Sequence, residues 1–261
     1  MKKLPGHWVV GCLVGLLAAA PAAAADFTAD ALRELLARAD RRSPVDLAGK
    51  DLSDLDLSHL DFKRANLAGA NLFASRLVGS NLAGAQLARA NLNGTWLMGA
   101  TLAGADLSGS SMLGLVIRGG PVREVPNFAG ANLSGARLIA DLPGADLSGA
   151  DLSRANLGVD IRNQGMGQMR TDLTGAKLAG ANLHEANLNR ALLSFADLRG
   201  ANLTGANLFG AKLSGADLTG AAVAGADFTE ADLEGTVLKD IRGLEAARGL
   251  DRASNPDRAV Y

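Results

Sequence analysis

The 261-residue sequence holds one cysteine, Cys12, one tyrosine, two tryptophans and three histidines. Cys12 lies so close to the start that the rest of the chain can form no disulfide, thiolate metal site or cysteine nucleophile. Histidine is almost as scarce: beyond His7 there are only His59 and His184, and neither has a serine and an acid nearby in a nucleophile arrangement. No Walker loop, H-E-x-x-H or calcium-loop pattern occurs. These absences point away from an enzyme and imply no catalytic residue, no metal and no cofactor. Aromatic residues make up only 4% although 48% of the chain is hydrophobic, and 32 residues are glycine. Such a composition suits a narrow, regularly filled interior better than an ordinary globular core. Charge is also nearly absent in the net, at −1, or −3 once Lys2 and Lys3 are removed to leave 24 bases against 27 acids. No bulk attraction to nucleic acid or anionic lipid follows.

Residues 1–25 read as a secretory signal. Lys2 and Lys3 form its charged start, Trp8 to Ala20 its apolar run, Pro21 the break, and Ala23-Ala24-Ala25 an A-x-A cleavage site. The apolar run is shorter than the roughly 20 residues a spanning helix needs. Cleavage after Ala25 therefore predicts a periplasmic or secreted protein beginning at Asp26. Val9-Val10-Gly11-Cys12 resembles a lipoprotein box, but Cys12 sits inside the apolar run rather than at its end, which weighs against lipidation.

The dominant signal is a repeat. From Leu47 an apolar residue returns at every fifth position through Leu52, Leu57, Phe62 and onward to Met112, and again from Leu173 to Leu238. Between these runs the ladder is shorter and less regular: Phe128, Leu133 and Leu138, then Leu142, Leu147, Leu152 and Leu157. A period of five matches neither a helix at 3.6 nor a flat strand at 2. Two residues before each ladder position stands a small side chain, with Asp or Asn between, so the unit is A-(D/N)-L-x-G. One large and one small apolar group can both point inward if each unit makes a short extended side followed by a corner, with glycine easing the corner.

Ala65-Asn66-Leu67-Ala68-Gly69, Ala105-Asp106-Leu107-Ser108-Gly109 and Ala201-Asn202-Leu203-Thr204-Gly205 resemble the pentapeptide repeat family, across Val45 to Leu238. The resemblance implies an all-β fold, a four-sided right-handed parallel β-helix with about four repeats per coil. At about twenty residues per coil and a strand separation of about 4.8 Å, it predicts a rod about nine coils long.

Open ends of such a stack need cover. Residues 26–44 are expected to supply a capping helix over Thr28 to Ala39, with Leu32, Leu35, Leu36 and Ala39 on its apolar face, Thr28 as cap and Pro44 as stop. Val45, Leu55 and Leu60 enlarge the small slots of the first coil. At the other end, residues 239–261 suggest a short capping helix through Ile241, Leu244, Ala247 and Leu250, or a homodimer contact of the kind the resemblance implies.

Two interruptions carry a shared signature, Leu113-Gly114-Leu115-Val116-Ile117-Arg118 and Leu157-Gly158-Val159-Asp160-Ile161-Arg162. They predict loops over 118–127 and 158–172 projecting from one face, with Arg118, Arg123, Arg162 and Arg170 offered to an anionic or carboxylate-bearing partner. Solvated insertions are the plainer explanation. Stacking at twenty residues also places Arg76 under Trp96, with Phe73, Val78 and Met98 close by, as an apolar surface patch. That patch serves either a partner or only the wall itself.

Asp106, Asp146, Asp151, Asp197, Asp217 and Asp227 all share the slot where Asn is equally common, which suits a corner hydrogen bond and not ionisation-dependent chemistry. Asp197 and Asp217, one coil apart, could still imitate a retaining glycosidase pair, the basis of an alternative reading as a glycan-acting β-helix enzyme. The resemblance also implies a DNA-mimicking, gyrase-interacting alternative, against which stand the leader and the near-neutral charge. The favoured expectation is an exported non-enzymatic scaffold that binds a protein or envelope polymer.

Overall fold

The computed structural model describes residues 25–39, 44–62, 64–117, 124–159 and 170–261. Extended backbone is confined to one bridging residue per repeat, the Asp/Asn slot, and each bridge is parallel. Among the described residues only Ser111–Leu113 (β1) and Arg137–Ile139 (β2) extend this to three paired residues. The bridges sort into four columns. Side one begins with Asp46, Asn66 and Gln86; side two with Asp51, Asn71 and Asn91; side three with Asp56, Arg76 and Trp96; and side four with Asp61, Asn81 and Thr101. The chain visits the sides in that order and returns to side one twenty residues later.

Backbone pairing runs between coils, as a period-five wall requires. The Leu67 N–H donates to the Gln86 carbonyl above at 2.6 Å, while the Asn66 N–H donates to the Val45 carbonyl below at 2.9 Å. Each ladder leucine, such as Leu107, Leu198 and Leu213, is fully buried, as is the alanine two residues before it. At several inward slots filled by serine or threonine the hydroxyl donates to a backbone carbonyl: Ser75 to Leu72 at 2.8 Å and Thr95 to the same carbonyl at 3.0 Å. The burial of about 1.5–3 kcal/mol of transfer free energy per leucine is thus spread evenly along the axis.

In the intermediate Asp/Asn slot, the Oδ1 accepts a backbone N–H two residues on, as in Asp106 from Ser108 at 3.0 Å and Asn202 from Thr204 at 3.1 Å. Asn also donates to the carboxylate or amide one coil below, as Asn91 does to Asn71 at 2.9 Å. Asp and Asn are interchangeable as turn acceptors, and Asn alone can extend the ladder. This is the corner role expected from their alternation.

At the N-terminal end, α1 (Ala29–Arg38) starts at Thr28, whose hydroxyl accepts the Ala31 N–H at 3.2 Å. Leu32 and Leu36 are buried in the same apolar cluster as Leu47, Leu52 and Leu57. Leu35 points away and is exposed, so the apolar face is narrower than the sequence suggests.

The C-terminal end differs from expectation. Ile241, Leu244, Ala247 and Leu250 do not share one helix; three single 3-10 turns, Leu244–Ala246, Leu250–Arg252 and Pro256–Arg258, occupy the corners of another coil. Arg242, Arg248, Ser254 and Val260 bridge Ala222, Asp227, Asp232 and Val237, so the period here is six. Each side carries ten levels in all, nine from pentapeptides and a tenth from hexapeptides. The extra residue per side is accommodated by left-handed backbone at Gly243, Gly249 and Asn255. A Cβ at Gly243 would lie 2.7 Å from the Ala224 Cβ, and one at Gly249 would strike the Thr229 hydroxyl. Ile241, Leu244 and Leu250 pack against the end of the core while staying partly exposed.

Candidate functional site

The four sides are chemically unequal. Sides one and two present Asn at Asn66, Asn132, Asn182 and Asn202, and at Asn71, Asn91, Asn156, Asn187 and Asn207. Side three has no asparagine at any level. Its column reads Asp56, Arg76, Trp96, Val116, Asp141, Asp172, Leu192, Lys212, Asp232 and Ser254. Aromatic and aliphatic groups gather at its borders: Phe73, Leu113, Ile139 and Phe209 on the corner with side two, Phe195 on the corner with side four.

Toward the N-terminal end, the Arg76 guanidinium lies 4.8 Å from the centre of the Trp96 ring and 3.8 Å from the Asp56 carboxylate. The stack expected from the twenty-residue register is therefore present, with Phe73 48% exposed beside it. Met98 and Val78 depart from the expected patch. They are 2% and 6% exposed, buried at the corner with side four but outside the leucine core, so they offer little surface to a partner.

Toward the other end, Leu192 has an aromatic corner on either side, the exposed Phe195 and, one coil above, the half-buried Phe209. Phe195 is 70% exposed and sits at φ 59°, a left-handed conformation that costs a non-glycine residue on the order of 1 kcal/mol. Its ring covers Gly215, the next residue in its column, where any Cβ would meet it at 2.6 Å. On the opposite corner Arg190 stands 5.8 Å from the Phe209 ring.

Both interruptions insert at the edges of side three. Ile117 still fills a leucine slot, and the Gly99 N–H donates to the Glu124 carbonyl at 2.7 Å, which returns the chain to repeat register. Glu124 to Asn127 therefore belong to the wall and not to the loop, and the insertion reduces to 118–123 on the side-four edge. Likewise the Val159 N–H donates to Asn189 at 3.2 Å, and Thr171 is back in an inward slot, donating to the Leu138 carbonyl at 2.7 Å. The second insertion spans 160–170 on the side-two edge, shorter than the expected 158–172. Arg118, Arg123 and Arg162 lie outside the described residues. Arg170 is described, exposed, and stands against side three.

Between the insertions, one coil is a residue short. Arg137 to Asp141 covers four positions where every other pentapeptide step covers five, and the left-handed corner residue is missing. Among the described residues no bridge joins Val116 to Asp141, although sides one, two and four stay paired at that level. A pocket of about 360 Å³ opens at this split, lined by Gly114, Leu115, Ile139, Ala140, Asp141, Arg170, Asp172 and Leu192. Leu115 occupies a slot that is normally alanine, and Ile139 one that is normally small and polar. The irregular leucine spacing from 138 to 142 is the sequence signal for this split, but spacing alone does not say which side it falls on.

The Asp197 and Asp217 carboxylates are bridged one coil apart, as expected, but Arg199 binds Asp197 through both nitrogens at 2.7 Å and reaches Asp217 at 3.9 Å. Hydrogen bonding from Arg199 holds the Asp197 carboxyl below its usual range. A retaining pair needs one acid raised, so the pair is built the wrong way for glycoside cleavage. Among the described residues no group of His, Cys, Asp and Glu could hold a metal ion, and no helix is long and apolar enough to cross a membrane.

Residues 45–72, 65–102, 75–114, 127–158, 169–205 and 206–241 match the family model of pentapeptide repeats, in eight copies. Among solved structures the chain is similar to HetL, a pentapeptide repeat protein involved in heterocyst differentiation regulation in the cyanobacterium Nostoc, at 30% identity over 90% of this chain and 100% of that one, with a TM-score of 0.34. It is similar to a pentapeptide repeat protein of the Arabidopsis thaliana thylakoid lumen at 33% identity over 38% and 66% of the two chains, with a TM-score of 0.28. A third similar structure is full-length QnrB1, a plasmid-mediated fluoroquinolone resistance protein, at 20% identity over 82% and 93%, with a TM-score of 0.30. No curated relative matches the chain by sequence.

Proposed function

This chain belongs to the pentapeptide repeat family, whose right-handed quadrilateral β-helix is the four-sided stack described above, and we propose that it is an exported, non-enzymatic scaffold that holds a protein partner against side three. One observation carries the reading: the exposed Phe73 and Phe195, both insertions and the pocket fall on side three or its edges, with only the terminal Tyr261 exposed elsewhere among the described aromatics, while sides one and two carry polar amide ladders over most of their height. A wall selected only for stability would repeat Asn on all four sides, since each Asn adds a hydrogen bond between coils. Recognition surfaces instead gather aromatic and arginine side chains. The same amide ladders offer little support to imitation of DNA, which would call for carboxylates along the rod. Export follows from the leader at residues 1–25, and cleavage there leaves a chain without cysteine.

The lack of cysteine makes the test direct. A single cysteine carrying a photo-cross-linker is placed at Trp96 or Leu192 on side three, or at Asn66 or Asn202 on side one, in the protein expressed in its own cells. One discrete adduct from the side-three positions alone is the expected result. Equal labelling from both sides, or none from side three, overturns the assignment. Amino-terminal sequencing of the purified protein checks export, with Asp26 expected as the first residue.

A further inference from the structure

Resting on export with cleavage after Ala25, we propose that the amino terminus so released is a latch: Asp26 docks beneath Asp51 and closes side two at the lower end of the rod, which couples leader removal to closure of the fold. Asp51 is the side-two bridging residue of the first coil. One coil higher, Asn71 meets the coil beneath it through two bonds: its N–H donates to the Lys50 carbonyl at 2.9 Å, and its carbonyl accepts the Leu52 N–H at 2.7 Å. Among the described residues no coil lies beneath Asp51, and Asp26 supplies both bonds instead. The Asp51 N–H donates to Asp26 Oδ2 at 2.8 Å, and the Asp51 carbonyl accepts the Asp26 N–H at 2.8 Å. One residue thus imitates a strand edge, its carboxylate standing for the carbonyl and its own nitrogen for the amide, where an open end would otherwise present unpaired groups.

Asp26 is also the residue that cleavage makes terminal. Water adds to the Ala25 carbonyl, the C–N bond to Asp26 breaks, Ala25 departs as a carboxylate, and the Asp26 nitrogen takes up protons to become an ammonium. The donor to Asp51 is then charged, and its hydrogen bond strengthens. Docking and cleavage compete for the same residues. A protease needs the scissile bond drawn out into an accessible, extended segment, whereas docked Asp26 is bonded twice and its neighbour Phe27 packs against the apolar core. A leader held in the membrane keeps Asp26 away from Asp51, and its removal lets the latch close.

The test is residue-resolved hydrogen exchange at the Asp51 amide in the exported chain, whose first residue is identified by amino-terminal sequencing. Asp26→Ala should speed exchange at Asp51 by about tenfold or more while leaving the Asn71 amide unchanged. Asp26→Asn keeps an acceptor oxygen and should keep most of the protection. Ala25→Arg removes the small residue that the cleavage site requires and retains the leader; in that precursor, bound to phosphatidylethanolamine–phosphatidylglycerol vesicles, Asp51 should exchange as fast as in Asp26→Ala. Equal exchange at Asp51 in the native chain and Asp26→Ala overturns the latch and leaves export standing, as does an equal rise at Asn71, which marks general loosening of the rod. Native protection of Asp51 in the vesicle-bound precursor overturns the coupling to leader removal. A first residue other than Asp26 overturns the cleavage site and the latch together. Side-three cross-linking reads the recognition surface independently of all these outcomes.

Discussion

Sides one and three climb the same ten levels over the same leucine interior, yet their outer surfaces differ in kind. Side one is a column of Asp, Asn and Gln from Asp46 to Asn202, ending in Ala222 and Arg242, that bonds to its own corners and neighbours. Side three replaces those amides with Arg76, Trp96, Val116, Leu192 and Lys212, and at one level gives up the backbone bridge altogether. The interior fixes where each slot stands but is indifferent to what the slot displays. A side can lose its amide ladder, take an insertion at either edge, or drop a residue, because the three remaining sides keep the coils in register.

The comparison is broken most severely from within. Leu107→Ala beneath side one and Leu193→Ala beneath side three remove equally buried groups, and each should cost about 2–5 kcal/mol in denaturant unfolding. A clear difference between the two would mean that the sides are not equivalent inside. Next in size is the rod's end. Gly249→Ala should cost more than about 1 kcal/mol, because a Cβ there meets the Thr229 hydroxyl and backbone in left-handed geometry. Gly104→Ala, also left-handed but with open space around it, should cost less.

On the surface, Trp96→Ala should lower stability by about 0.5–1 kcal/mol through loss of the Arg76 stack. Phe195→Gly should raise it by under about 1 kcal/mol by relieving the positive φ. Both should reduce partner retention, so Phe195→Gly sharpens the comparison: a substitution that stabilises the rod and weakens binding marks a residue kept for contact.

The smallest effect is acid sensitivity. The Ser53 hydroxyl and N–H, together with Asn71, hold the Asp51 carboxyl below its ordinary value. A carboxyl lowered in the folded chain contributes stability that is complete above about pH 4 and is lost as pH falls through the lowered value. Thermal unfolding between pH 2 and 6 should show this loss diminished in Asp51→Asn, and unchanged by replacement of an amide such as Asn66 on side one.

Much of this was legible in residue order. The five-residue ladder from Leu47 to Met112 and from Leu173 to Leu238 gave the inward leucines, the inward alanines and the corner glycines. The twenty-residue register placed Arg76 against Trp96. Other features were hidden for definite reasons. The hexapeptide coil has glycine or asparagine where a leucine would stand, so Ile241, Leu244, Ala247 and Leu250 imitate a helical face. Met98 looked like an exposed group because the slot after a ladder leucine is usually outward, and only the packed corner shows it covered. The insertions seemed longer than they are because Glu124 and Val159 pair with the wall without resembling the repeat.

The order of residues alone determined a repeating five-residue unit, because a large and a small apolar group every five positions can be buried together only if each unit turns a corner, and the resemblance to the pentapeptide repeat family implied that the units wind into a four-sided rod. Tertiary structure decided which side carries the exposed aromatics and where the wall splits. Those depend on the cumulative register of inserted and deleted residues, and a six-residue insertion, a one-residue deletion and an eleven-residue insertion converge on one side only when the coils are stacked.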